Sequence, residues 1–218
     1  MSRATEGVSV ECFFDCSSLW SYLGFHNLRG SMQTLGVPVT WRPILVGGVW
    51  KRANPGIYDL RSAPQNRLKQ AYFHKDLDDW ARRDGLVINF PPACGHPVNA
   101  VTCMRLCLVA LDSGVLEPFA AAAFEALWRD GRDLAQEVVL EDLCRTVGLD
   151  AENALITARQ PATKERLRRN GDELVQRGGF GSPTFFVGRD DMYFGNDRLT
   201  LVEGAVIRQI GACTDHDS

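Results

Sequence analysis

A chain of 218 residues with 45% hydrophobic content has enough apolar material for one substantial core. Its formal net charge of −3 gives no sign of the basic face that a nucleic acid or an anionic membrane surface requires. The N-terminal "MSRATEGVSVECFF" holds no apolar export segment, and the most apolar window, "AVTCMRLCLVAL", is too short to cross a bilayer, so a cytoplasmic protein without membrane attachment is expected.

Residues 8–14 alternate apolar and polar and predict a strand. The strand stops at a small polar loop. A helix is expected from about Ser18 to Leu35, ended by Gly36, with Trp20, Leu23, Leu28, Met32 and Leu35 near the helical period. "VPVTWRPIL" reads as a second strand, with Pro38 at its start, where a missing N–H is tolerated. Strand, helix and strand make a βαβ unit, so these two strands are expected to be parallel. "VGGVWKRANPG" reads as a loop. A helix over 63–83 follows, with Leu68, Tyr72, Phe73, Leu77 and Trp80 on its buried side.

"FPPACGHP" is a second loop, and "VNAVTCMRLCLVAL" is a helix apolar nearly all round, which burial on most sides explains. "EPFAAAAFEALWRDG", with Pro118 in its first turn, and "QEVVLEDLCRTVG" continue the helical run. "TKERLRRNGDELVQRGG" is a charged helix stopped by Gly178 and Gly179. At the end, "SPTFFVG" and "MYFG" read as a hairpin with its turn at 189–191. A last helix starts at about Asp197 with Asn196 as its N-cap. The order is βαβ, a helical block, then ββα. An α/β fold results, with the sheet formed from 1–63 and 177–218 and an all-helical insertion over 64–176.

There are seven cysteines: Cys12, Cys16, Cys94, Cys103, Cys107, Cys144 and Cys213. No Cys-x-x-C pair occurs and the histidines are scattered, so no metal site is expected, and the thiols read as reduced and mostly buried.

The βαβ…ββα order with "GSPTFF" before the hairpin resembles the thioredoxin fold, and the long helical insertion resembles its DsbA-like branch. Six segments in order, "FFDCSSLWSYL", "WRPILVGGVWKRAN", "LKQAYFHKDLDDWA", "FPP…HPVN", "GSPTFFVG" and "FGNDRL", resemble those of 2-hydroxychromene-2-carboxylate isomerases and the related kappa-class glutathione transferases. The likeness extends over nearly the whole chain. It implies a glutathione-dependent isomerase interconverting 2-hydroxychromene-2-carboxylate and trans-o-hydroxybenzylidenepyruvate, with a small aromatic carboxylate as substrate, no nucleic-acid partner and a homodimeric assembly. Two rivals stand beside it: a kappa-like glutathione transferase acting on another activated aromatic or enone substrate, and a non-catalytic thiol- or peptide-binding protein. The absent Cys-x-x-Cys speaks against a disulfide oxidoreductase.

The residues match one at a time. "Ser-Leu-Trp-Ser" from Ser18 to Ser21 stands where a redox Cys-x-x-Cys would fall. Ser18 matches the family's catalytic serine. A hydroxyl cannot form a mixed disulfide but can donate a hydrogen bond to a thiolate, and a helix N-terminus adds N–H groups and partial positive charge. From local sequence alone Ser18 reads first as a plain N-cap, and the resemblance reverses that order. Ser182 and Pro183 match the family's cis-proline dipeptide, whose backbone holds the cysteinyl part of glutathione. Asn196 and Asp197 match the pair that holds its γ-glutamyl end. Asn54 and Lys69 match residues near the sulfur and the substrate, and Lys69, Tyr72 and Asp76 share a helix face. Trp50 fits a pocket wall for an aromatic substrate. The chain departs from the family at Cys16, Leu19 and Ser182, where aromatic or aliphatic residues, proline and valine are usual. These departures alter pocket shape without removing a catalytic group.

Overall fold

The computed structural model describes residues 7–56 and 66–216. Its chain order is β1 (Val10–Phe14), α1 (Leu19–Leu35), β2 (Val39–Pro43), α2 (Val46–Ala53), α3 (Arg67–Asp84), α4 (Val101–Asp112), α5 (Leu116–Trp128), α6 (Glu137–Thr146), α7 (Ala151–Arg159), α8 (Pro161–Gln176), β3 (Thr184–Val187), β4 (Asp191–Phe194) and α9 (Leu199–His216).

The four strands form one mixed sheet in the order β2-β1-β3-β4. β1 and β2 are parallel, as a βαβ unit requires, with Val10 opposite Val39. β3 is antiparallel to β1 and to β4. Because side chains alternate along a strand, β1 feeds both faces. Val10, Cys12 and Phe14 enter the larger core cluster, whereas Phe13 joins Ile44, Val49, Leu174 and Phe186 in a smaller one. Phe13 and Phe186 meet edge to face at 5.7 Å. On the larger side Phe14 meets Phe25, Trp41 and Phe124, which ties the sheet to α1 and α5. Trp128, at the end of α5, is fully buried and donates its indole N–H to the Cys16 carbonyl at 3.0 Å. The helical block is thereby fastened to the loop after β1.

α1 begins and ends as its sequence dictates. Ser18 caps it, and Gly36 closes it at φ +67°, a left-handed backbone that glycine adopts without strain. Several expectations need correction. The stretch after β2 is not a loop: Val46–Ala53 forms α2 despite Gly47 and Gly48. Its anchors are tertiary, since Val49 is buried and the Val46 N–H donates to the Asp15 carboxylate at 2.8 Å. α7 has no counterpart in the sequence reading, although Asp150 caps it by accepting from the Asn153 N–H at 3.2 Å. Leu77 of α3 is buried, but Leu68 and Tyr72 are exposed, so the apolar stripe meets the core only in its later half. Residues 63–65, expected to open that helix, lie outside the described residues. Asn196 is not the cap of the last helix: it opens a short 3-10 turn, Asn196–Arg198, and α9 starts at Leu199.

Candidate active site

The site grows from the junction of β1 and α1. Asp15 is buried there and organises the loop: one carboxylate oxygen accepts from the Ser17 N–H and hydroxyl, both at 2.8 Å, and the other accepts from Val46 of α2. Burial pushes its pKa up, and the donors from Val46 and Ser17 hold that rise in check. Ser18, half-buried, accepts the Ser21 N–H at 3.2 Å and so caps α1. Its hydroxyl also points at the Ser182 carbonyl, 3.4 Å away. That separation is well beyond the usual O–H···O length of about 2.7–2.8 Å, so a stronger acceptor would capture the proton. The first turn of α1 holds no acidic residue, which leaves the positive end of the helix dipole uncompensated by its own side chains. Ser21 cannot serve in the same way. It is buried, and its oxygen accepts from the Asp15 N–H at 3.4 Å.

Ser182 sits across from Ser18, and its bond to Pro183 is cis. Gly24 of α1 faces this proline so closely that a methyl group there would lie 2.9 Å from Pro183 Cγ. Behind the proline, loop 180–183 is framed by aromatic rings. Phe180 and Phe194 pair at 4.5 Å, and a side chain at Gly181 would strike Phe194 and approach the Trp50 indole nitrogen. Asn54, the residue after α2, donates its amide to the Phe180 carbonyl at 3.3 Å. The structure thus brings Ser18, Ser182, Pro183, Asn54 and Trp50 to one edge.

Asn196 and Asp197 follow β4 through Gly195, whose φ of +101° suits glycine. A Cβ on Gly195 would lie 2.6 Å from the Asp197 carboxylate. Asp197 pairs with Arg198. Asn196 is buried, and its amide nitrogen has no hydrogen-bond partner. The buried Ser182 hydroxyl has none either, and these are two of four such atoms among the described residues. A buried unsatisfied polar group costs about 1–3 kcal/mol, so both positions suit a polar ligand that supplies the missing partners.

Asn196 and Asp197 also border a cleft of about 210 Å³, together with Asn27, Ser31, Trp80 and Arg83. Ser18 is not among its lining residues. Sequence reasoning singled out none of these other four for function, and no local signal marks them. Lys69 is not drawn into the group: it is exposed on α3. The structure also collects what spacing alone kept apart. Cys16, from the loop, and Cys103 and Cys107, one turn apart on α4, place their three sulfurs within 4.8 Å of one another, all buried.

A thioredoxin-type sheet, a cis-proline loop facing a helix N-terminus, and a helical block between the second and third strands define the DsbA-like architecture. The chain belongs to the DSBA-like thioredoxin domain family, whose model matches residues 9–206. Among curated proteins it is 29% identical over 200 residues to the 2-hydroxychromene-2-carboxylate isomerase of Sphingobium xenophagum, covering 91% of this chain and 98% of that protein. It is 25% identical to glutathione s-transferase kappa 2 of Caenorhabditis elegans, covering 88% and 89%. A solved structure of a 2-hydroxychromene-2-carboxylate isomerase superposes with a TM-score of 0.81 at 26% identity, over 96% of this chain and all of the other. Relatives of this chain are thus named as an isomerase and as a glutathione transferase. No helix among the described residues is long and apolar enough to cross a membrane.

Proposed function

We propose that this protein is a glutathione-dependent isomerase that interconverts 2-hydroxychromene-2-carboxylate and trans-o-hydroxybenzylidenepyruvate. The observation that carries the reading is the coincidence of unsatisfied polar groups with the expected cofactor positions. Among the described residues the Ser182 hydroxyl and the Asn196 amide nitrogen are buried without hydrogen-bond partners, and the Ser18 hydroxyl donates only across a long 3.4 Å. The likeness to named isomerases supports the same reading.

The residues present fit glutathione. Ser182 and Pro183 would hold its cysteinyl backbone, Asp197 its ammonium, and Asn196 together with N–H groups of the turn at 196–198 its γ-glutamyl carboxylate. Bound there, glutathione supplies a thiolate able to add reversibly to an activated enone, converting a C=C bond to a rotatable single bond. Ser18 would hold that sulfur by donating a hydrogen bond from its hydroxyl, and the N–H groups and dipole of α1 would favour its ionised form. Asn54 and Lys69 would orient the carboxylate or stabilise developing negative charge on oxygen. Trp50, Phe180 and Phe194 offer an apolar wall for the aromatic ring.

The test is the absorbance change as the two isomers interconvert, with and without glutathione. Turnover that requires glutathione, with no glutathione adduct in the product, supports the proposal. A persistent adduct would assign the protein to the transferases instead. No turnover on any activated enone, with glutathione bound, would leave a binding protein.

A further inference from the structure

Three thiols meet at one point of the core. Cys103 and Cys107 lie four residues apart, on one face of α4, and Cys16 comes from the loop that ends at Ser18. All three are fully buried, and their sulfurs lie within 4.8 Å of one another. The backbone holds the arrangement from outside. The Cys16 N–H donates to the Met104 sulfur at 3.2 Å, and its carbonyl accepts from Trp128. Bonds of about 2.3 Å from sulfur to a central atom place three sulfurs at most about 4 Å apart, so the cluster needs only a small contraction to close on one.

Charge selects the occupant. Three thiolates around a divalent ion carry a net −1, and around a monovalent ion −2, and the Met104 thioether adds no compensating charge. A net charge in a fully buried site is heavily penalised. A trivalent centre leaves the complex neutral. We propose that Cys16, Cys103 and Cys107 form a binding site for trivalent arsenic, taken up as the uncharged hydroxide As(OH)3. In the reaction three As–O bonds break, three As–S bonds form, and each thiol proton leaves with a hydroxide as water. Arsenic stays trivalent, so no oxidant or reductant is needed.

The test uses the reduced full-length protein with sodium arsenite, added either to the folded protein or during refolding from urea, so that slow entry into the core does not decide the outcome. Mass spectrometry should show a gain of one arsenic less three hydrogens. X-ray absorption of that complex should show three sulfur neighbours and no oxygen. Cys16→Ala and Cys103→Ala should each weaken binding by about tenfold or more, whereas Cys94→Ala, at an exposed cysteine, should change nothing. Should either core variant fail to fold, the coordination number in the wild type still decides. Two sulfur neighbours, loss of binding in Cys94→Ala, or no uptake even after refolding would overturn the proposal.

Discussion

Gly24 and Gly30 lie on the same helix and differ only in what surrounds them, which makes α1 its own control. Replacing a helical glycine by alanine stabilises by about 0.5–1 kcal/mol through backbone entropy. A Cβ at Gly30 meets nothing within 4 Å, so Gly30→Ala should deliver that gain. At Gly24 the same methyl would lie 2.9 Å from Pro183 Cγ and 3.2 Å from Pro183 Cβ and Phe185 Cζ. A proline ring and a fully buried phenylalanine cannot swing aside, and overpacking of this kind costs about 1–3 kcal/mol. Gly24→Ala should therefore be less stable than Gly30→Ala by about 1–3 kcal/mol, a gap of roughly 2–12 °C in Tm for a chain of this size. Parallel thermal and urea melts followed by circular dichroism measure it. Calorimetry should also show weaker glutathione binding in Gly24→Ala, because the methyl pushes on the loop that holds the cofactor. Equal stabilisation in both variants would refute the claim that α1 is pressed against Pro183.

Ser18→Ala should slow isomerisation by about 10- to 150-fold, the equivalent of one charge-assisted hydrogen bond. Ser18→Asp separates capping from catalysis, since it keeps an N-cap acceptor but faces the thiolate with like charge. Stability near wild type with activity lost is expected, and retained activity would reduce Ser18 to a cap. Ser182→Ala removes a buried hydroxyl that has no partner. In chemical denaturation without glutathione it should be as stable as wild type or more so by about 1 kcal/mol, and a clear loss would show that the hydroxyl is satisfied in the folded protein. Asp15 titrates above the ordinary carboxyl range because it is buried. The folded state then keeps a proton that the unfolded state has lost, so the contribution of Asp15 falls as pH rises from about 4 to its folded pKa and is constant above it. Urea midpoints across that range should show the wild type losing ground to Asp15→Asn as pH rises, and a pH-independent difference would exclude this role.

The parallel pairing of the first two strands was legible because residues 8–14 alternate at their start and a strand–helix–strand unit leaves little topological choice, and the C-terminal hairpin was legible from two short apolar runs about a turn. Gly36 and Ser18 marked the ends of α1 through local backbone chemistry. α2 was hidden because its two glycines signal a loop, while its stabilising contacts, Val49 and the Asp15 carboxylate, come from elsewhere in the chain. Leu68 and Tyr72 obey a helical period that describes a stripe but not how far the body of the protein follows it. The site residues in the loop after β1 and in the cis-proline loop were recognisable from motifs, and they do converge at Ser18 and Ser182. The cluster of Cys16, Cys103 and Cys107 was not visible. Its third sulfur comes from a loop far away in sequence, and only the packing of α4 under that loop unites them.

β1 is one of the two inner strands in space and the first described element in chain order. During synthesis its parallel neighbour β2 emerges soon after it, but its antiparallel neighbour β3 is made only after the helices α2 to α8. Pairings between segments so far apart in sequence form late. Until then one edge of an apolar strand is open to any other strand. The strand carries a safeguard. Glu11 sits at its second position among Val10, Cys12 and Phe13. In the finished protein Arg177, which follows α8, meets that carboxylate at 2.7 Å, and Arg42 approaches it at 3.6 Å. In the nascent chain, before residue 177 exists, Glu11 has only Arg42 of β2 beside it, and its charge interrupts the sticky run. The same side chain thus discourages pairing with strangers early and becomes an ion-pair anchor once the C-terminal part of the sheet arrives.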